Sequence, residues 1–140
     1  MIKEIDEIIN ELKSNVTSPD FLDVCDRQIE KLNALSNPVL SIEHILSVME
    51  KNPNVDYGMP GPLVHFVEQF FRNGYEEKLI ESLNRAPTLH TLWMLNRILN
   101  SVSGEEKLKL MTALENVINR QDIDQNIINE AKEFREMQEE

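Results

Sequence analysis

Cysteine is nearly absent from this chain: Cys25 stands alone among 140 residues. One thiol can close no internal disulfide and build no cysteine zinc site, which fits a reducing cytoplasm. Glycine is almost as scarce, and none of the four glycines lies in a G-x-G-x-x-G or Walker loop of the kind that cradles phosphate. There are three histidines and no H-E-x-x-H pair, so a metal-dependent hydrolase would have to assemble His65, Glu68 and His90 without a further convincing ligand. No serine sits in a nucleophile elbow. Long apolar runs are missing as well. Nothing approaches the ~18 residues of a membrane span, and the opening "MIKEIDEIINELKSN" interleaves acids with its apolar residues, unlike a signal peptide. These shortages predict a cytoplasmic chain that is not an enzyme, holds no metal or cofactor and does not enter membranes.

Positive charge is in deficit. Against 25 acidic side chains there are 14 basic ones, a formal net charge of −11. Such a balance repels nucleic acid and anionic lipid and welcomes a cationic partner, although acidic surfaces also serve solubility. Hydrophobic residues at 41% are ample for a core in one domain of this length.

What the chain does have is helical periodicity almost from end to end, with strand-like alternation nearly missing. The spacing predicts eight short helices. The first presents Ile2, Ile5, Ile8, Ile9 and Leu12; the second, started by Ser18 and Pro19, presents Phe21, Val24, Cys25, Ile29, Leu32 and Leu35. Cys25 on that apolar face is expected to be a structural thiol. The third, behind Asn37 and Pro38, carries Val39, Ile42, Ile45, Leu46 and Met49. A Pro/Gly-rich loop at 52–62 follows, because its prolines and glycines cannot continue a helix.

The fourth helix is expected from about Pro62 to Gly74, and the fifth over "YEEKLIESLNRA". The sixth, "TLHTLWMLNRILNS", is the most uniformly apolar and a candidate for the centre of the packing. Ser103 and Glu106 match a capping box for the seventh helix, whose stripe is read as Leu108, Met111, Leu114, Val117 and Ile118. The eighth begins near Asp122 with Ile123, Ile127, Ala131 and Phe134 inward and "REMQEE" fraying outward. A repeat of "EEK" at Glu76 and Glu105 hints at stacked helix pairs. The expectation is a single all-α domain, residues 1–140, of short antiparallel helices in a HEAT-like stacked hairpin array.

Two helices carry a second, polar-aromatic stripe. In the fourth it is His65, Glu68, Gln69 and Arg72; in the sixth, His90, Trp93, Met94 and Arg97. Side by side, the two would line one face rich in the residue types that anchor interfaces. Asp56 and Tyr57 in the loop would extend it, while Trp93 as plain core and Tyr57 packed over a helix end are the bland alternatives. Further acids cluster at Asp20, Asp23, Asp26 and Glu30 and at Glu76 and Glu77, and those in first helical turns are favoured by the macrodipole alone.

The block "GPLVHFVEQFFRNGYEEKLIESLNRAPTLHTLWMLNRILNSV", residues 61–102, resembles the central segment of small all-helical bacterial immunity proteins of polymorphic toxin systems, including contact-dependent growth inhibition. The resemblance is carried by His65, Phe66 and Glu68, by Leu89 and His90, and by Trp93, Asn96 and Arg97. It implies a cytoplasmic inhibitor that covers the active site of one cognate toxin domain, commonly a basic RNase or DNase. In that reading Asp56, Glu68, Glu76 and Glu77 meet cationic groups, Gln69 borders them, Tyr57, His65, His90 and Trp93 anchor the centre, and Arg97 pairs with a carboxylate. The alternative is a helical-repeat adaptor whose groove binds an endogenous peptide or regulatory protein.

Overall fold

A computed structural model describes residues 2–139, at Ile2 for the backbone alone. Among these residues the chain is all-helical, with eight α-helices and no strand. They are α1 (Ile2–Ser14), α2 (Phe21–Asn33), a 3-10 turn (Pro38–Ser41), α3 (Ile42–Lys51), α4 (Gly61–Glu68), α5 (Tyr75–Arg85), α6 (Leu89–Leu99), α7 (Gly104–Ile118) and α8 (Gln125–Glu139). Internal contacts gather into two compact units, residues 1–78 and 79–140. The boundary falls within α5 rather than at the Pro/Gly-rich loop.

In the first unit α2 packs against α1, α4 and the 3-10 turn, and α1 also meets α3. The α1 stripe is as the spacing predicts, with Ile5, Ile8, Ile9 and Leu12 buried; the side chain of Ile2 lies outside the described residues. On α2 the core residues are Phe21, Val24, Cys25, Gln28 and Leu32, while Ile29, and Leu35 beyond the end of the helix, are half-buried. Ser18 does not cap this helix. Its Oγ accepts from the amide of Asp20 at 3.1 Å, forming a turn before the helix begins at Phe21.

The Pro/Gly-rich loop is tied into this core by Tyr57, which is 1% exposed. Its hydroxyl donates to the Asn52 carbonyl at 2.8 Å, and its ring meets Phe21 edge-on, with centroids 5.9 Å apart. An edge-to-face pair adds about 0.5–1.5 kcal/mol to the burial itself. Asp56 Oδ1 accepts from the Gly58 amide at 2.8 Å, and Gly58 has φ +93°. A Cβ there would stand 2.5 Å from the Gly61 Cα, so glycine is required twice over. The Met59–Pro60 peptide is cis.

The fourth helix is shorter than its apolar pattern predicts. After Glu68 the backbone tightens into three-residue bonds, Phe70 N to Val67 O at 3.0 Å and Asn73 N to Phe70 O at 2.8 Å among them. Arg72 then turns left-handed at φ +66°, with its amide donating to Glu76 Oε1 at 2.8 Å. Phe70 still packs edge-on against Phe66, 5.4 Å between centroids.

In the second unit α6 packs against both α7 and α8, which pair with each other. A reciprocal cap starts α6: Thr88 Oγ1 accepts from the Thr91 amide and Thr91 Oγ1 from the Thr88 amide, each at 3.0 Å. The capping box expected at α7 does not form, since Ser103 makes no side-chain cap bond. The α7 stripe also differs. Leu108 is 68% exposed, and the core face is Leu110, Ala113, Leu114 and Val117. On α8 the buried residues are Ile128, Ala131 and Phe134, with Ile123 and Ile127 half-buried.

The end of α8 does not fray as expected. Arg135 donates to Glu115 Oε1 at 3.0 Å, and Gln138 Nε2 donates to both Asn96 Oδ1 and Asn100 Oδ1 at 2.8 Å. Gln138 thereby ties the last turn of α8 to α6.

Candidate functional site

The polar-aromatic stripe of α6 is a row of three neighbouring side chains at i, i+3 and i+7. The rings of His90 and Trp93 lie 5.4 Å apart at 40°, and the Arg97 guanidinium carbon stands 5.2 Å from the Trp93 ring centroid. This is cation–π distance, and such a contact restrains an otherwise mobile arginine against the indole. All three are half-buried. Met94, expected on the same stripe, is instead fully buried in the core. Trp93 is therefore neither plain core nor a free-standing surface ring, but an edge whose outer part is framed by two polar side chains.

The α4 stripe belongs to the first unit and is more open. His65 Nδ1 stands 3.8 Å from Glu68 Oε1, with 65% of the His65 side chain exposed. Gln69 is exposed and follows the end of the helix. Arg72 leaves the helical face altogether, and its guanidinium lies over Phe71 at 4.7 Å. Glu76 is half-buried and Glu77 exposed; both stand in the first turn of α5, where the macrodipole favours carboxylates.

The loop residues part company. Asp56 is exposed, whereas Tyr57 faces the core and offers a partner no surface. Burial pushes its phenol well above the ordinary range, with the neighbouring Cys25 a smaller cause. Cys25 is fully buried, and burial, reinforced by Asp26, pushes its thiol up to about 12. A thiol held protonated in this way is a packing group rather than a nucleophile.

One feature built by the same loop has no counterpart in the sequence stripes. The turn after α1, the start of α2 and the loop form an open groove of about 380 Å³, lined by five apolar residues and by Ser18, Asn54 and Asp56. Leu22 is 37% exposed, and its only sequence signal is that it falls off the inner stripe of α2 among acids. Among the described residues no three His, Cys, Asp or Glu side chains stand close enough to hold a metal ion, and no helix is long and apolar enough to cross a membrane.

Compared with protein-family models, with curated proteins and with solved structures, the chain matches none.

Proposed function

We propose that this protein is an inhibitor that binds a cognate bacterial toxin domain, a basic nuclease, and blocks it without chemistry of its own. The observation that carries the reading is the framed edge of Trp93 on an acidic chain. A half-buried tryptophan held between His90 and Arg97 loses little freedom when a partner covers it, and Trp and Arg are the residues that most often dominate binding energy. A net charge of −11 would speed encounter with a domain whose own groove is built for a polyanion. Residence within the cytoplasm, where a nuclease toxin would act, belongs to the same proposal.

The test is capture from the native host with the tagged full chain, eluted first at low and then at high salt. The captured basic domain is then assayed for nuclease activity with and without the protein. Retention through the salt wash and stoichiometric loss of nuclease activity support the inhibitor; capture of housekeeping proteins alone, from cells shown to make the toxin, overturns it.

A further inference from the structure

The turn between the tail of α4 and the start of α5 carries the dipeptide Asn73–Gly74, and of the four glycines only Gly74 follows an asparagine. The fold keeps glycine there, because its φ of +109° is a conformation that side chains resist. Asn73 is exposed, and a Cβ built on Gly74 would meet nothing within 4 Å. Neither the side-chain amide nor the backbone nitrogen that follows it is shielded.

The hydrogen bonds of the turn leave that nitrogen unengaged. The amides of Asn73 and Tyr75 both donate to the Phe70 carbonyl, at 2.8 and 3.3 Å. Among the described residues neither the Gly74 amide between them nor the Asn73 side chain takes part in a hydrogen bond. Asn100 is the contrast. It too is exposed and precedes a small residue, Ser101, but Gln138 Nε2 donates to its Oδ1 at 2.8 Å and the Ser101 amide is committed to the Ile98 carbonyl at 2.9 Å. After Asn54 the Val55 amide donates to the Asn52 carbonyl at 3.4 Å, and a β-branched side chain crowds its nitrogen.

We infer that Asn73 is a site of spontaneous modification, where the Gly74 nitrogen closes on the side-chain amide and water then turns the asparagine into aspartate or isoaspartate. Base removes the Gly74 N–H proton, and the nitrogen bonds to Asn73 Cγ. The Cγ–Nδ2 bond breaks and Nδ2 leaves as ammonia, taking up a proton in place of the one removed; the product is a five-membered imide. Water adds at Cγ or at the backbone carbonyl carbon of residue 73 and breaks the bond from that carbon to the Gly74 nitrogen, which recovers its proton. The first opening leaves an aspartate. The second carries the chain on through Cγ and inserts a methylene into the backbone. Water is the sole co-reactant, and nothing is oxidised or reduced.

Either product adds negative charge just ahead of Glu76 and Glu77 in the first turn of α5, where the macrodipole favours it. The isoaspartyl product also lengthens the turn between its two bonds to Phe70. The chemistry is independent of what the chain binds.

The test is incubation of the purified full chain in water enriched in heavy oxygen, at neutral and at mildly alkaline pH, followed by peptide mapping with electron-based fragmentation to separate aspartate from isoaspartate. Conversion at position 73 is expected to incorporate one heavy oxygen, to run at least tenfold faster than at Asn100 in the same molecules, and to quicken with pH because the attacking nitrogen must lose its proton. Ion exchange should resolve a second, more acidic species. Asn73→Gln, whose longer side chain would have to close a six-membered ring, should not form it. A smaller ratio to Asn100, or conversion that begins only when the chain is unfolded in urea, overturns the site. An acidic species that arises equally in Asn73→Gln places the chemistry elsewhere and overturns it as well.

Discussion

Arg120, in the turn after α7, donates through Nη1 to the backbone carbonyl of Asn84 at 2.7 Å. Asn84 lies in the last turn of α5, where carbonyls have no partner within the helix and a cation is favoured. Asp122 holds the same guanidinium from the other side, at 2.9 Å to Nε and 2.7 Å to Nη2. That fork raises the arginine and keeps the Asp122 carboxyl below the usual range. One side chain thus fastens a turn to the end of a helix 36 residues earlier.

Removing it should loosen the second unit. Arg120→Ala is expected to lower stability by about 1–2 kcal/mol, the worth of a charged donor on a backbone acceptor. Arg120→Lys should restore only part of this, because an ammonium cannot form the planar fork. Urea midpoints of the three proteins measure it; equal midpoints for alanine and arginine would show the contact to be idle.

Gly58 sets a second expectation. Gly58→Ala combines a left-handed φ with a Cβ 2.5 Å from backbone and should cost roughly 2 kcal/mol or more. At Gly74, with φ +109°, an added Cβ meets open space, so Gly74→Ala carries the backbone strain alone and should cost less. Thermal unfolding of both variants ranks them.

Stability should fall in alkali. The Cys25 thiol is raised to about 12 in the folded chain, against ~8.5 unfolded, and the Tyr57 phenol is raised as well. Below the unfolded values both groups are neutral in either state and their contribution is fully present. As pH rises through the window from ~8.5 towards 12 the unfolded chain loses protons that the folded chain retains, so stability drops by up to ~1.4 kcal/mol per pH unit for each group. Cys25→Ala should remove the thiol's share, and the difference between its urea midpoints and those of the parent at pH 7, 9, 10 and 11 is the readout.

Trp93→Ala should leave the helical circular dichroism in place and weaken the captured partner by about 2 kcal/mol, the threshold of a dominant interface residue. Because Trp93 is the one tryptophan of the chain, its emission also reports the event directly: a blue shift on adding the partner is expected, and an unchanged spectrum at saturation would remove this face from the interface.

The helices were legible because apolar residues repeat wherever one face is buried. The errors have equally physical origins. On α7 the true face is Leu110, Ala113, Leu114 and Val117, an i, i+3, i+4, i+7 set that is hidden when alanine is passed over for the bulkier Leu108. On α4, Phe70 and Phe71 keep helical spacing while the backbone has already tightened, a change that side-chain periodicity does not register. The cap of α6 uses threonine at both ends, outside the usual glutamate pattern. Tyr57 lies in a loop, where no period marks burial, and the groove joins segments more than thirty residues apart in sequence. On α6 the sequence stripe of His90, Trp93, Met94 and Arg97 holds for three of its members, since residues three and four apart on one helix are neighbours, while Met94 turns into the core.

The buried peg of the loop has a consequence for variation. Tyr57 supplies the loop's anchorage, and Gly58 its bend, with Asp56 accepting from the Gly58 amide, so the side chains of Asn54 and Val55 at the groove are relieved of holding the backbone in place. They form a short stretch that can be rewritten while its support stays constant, much as type can be reset in a fixed frame. Related chains should differ first at Asn54 and Val55 and last at Tyr57.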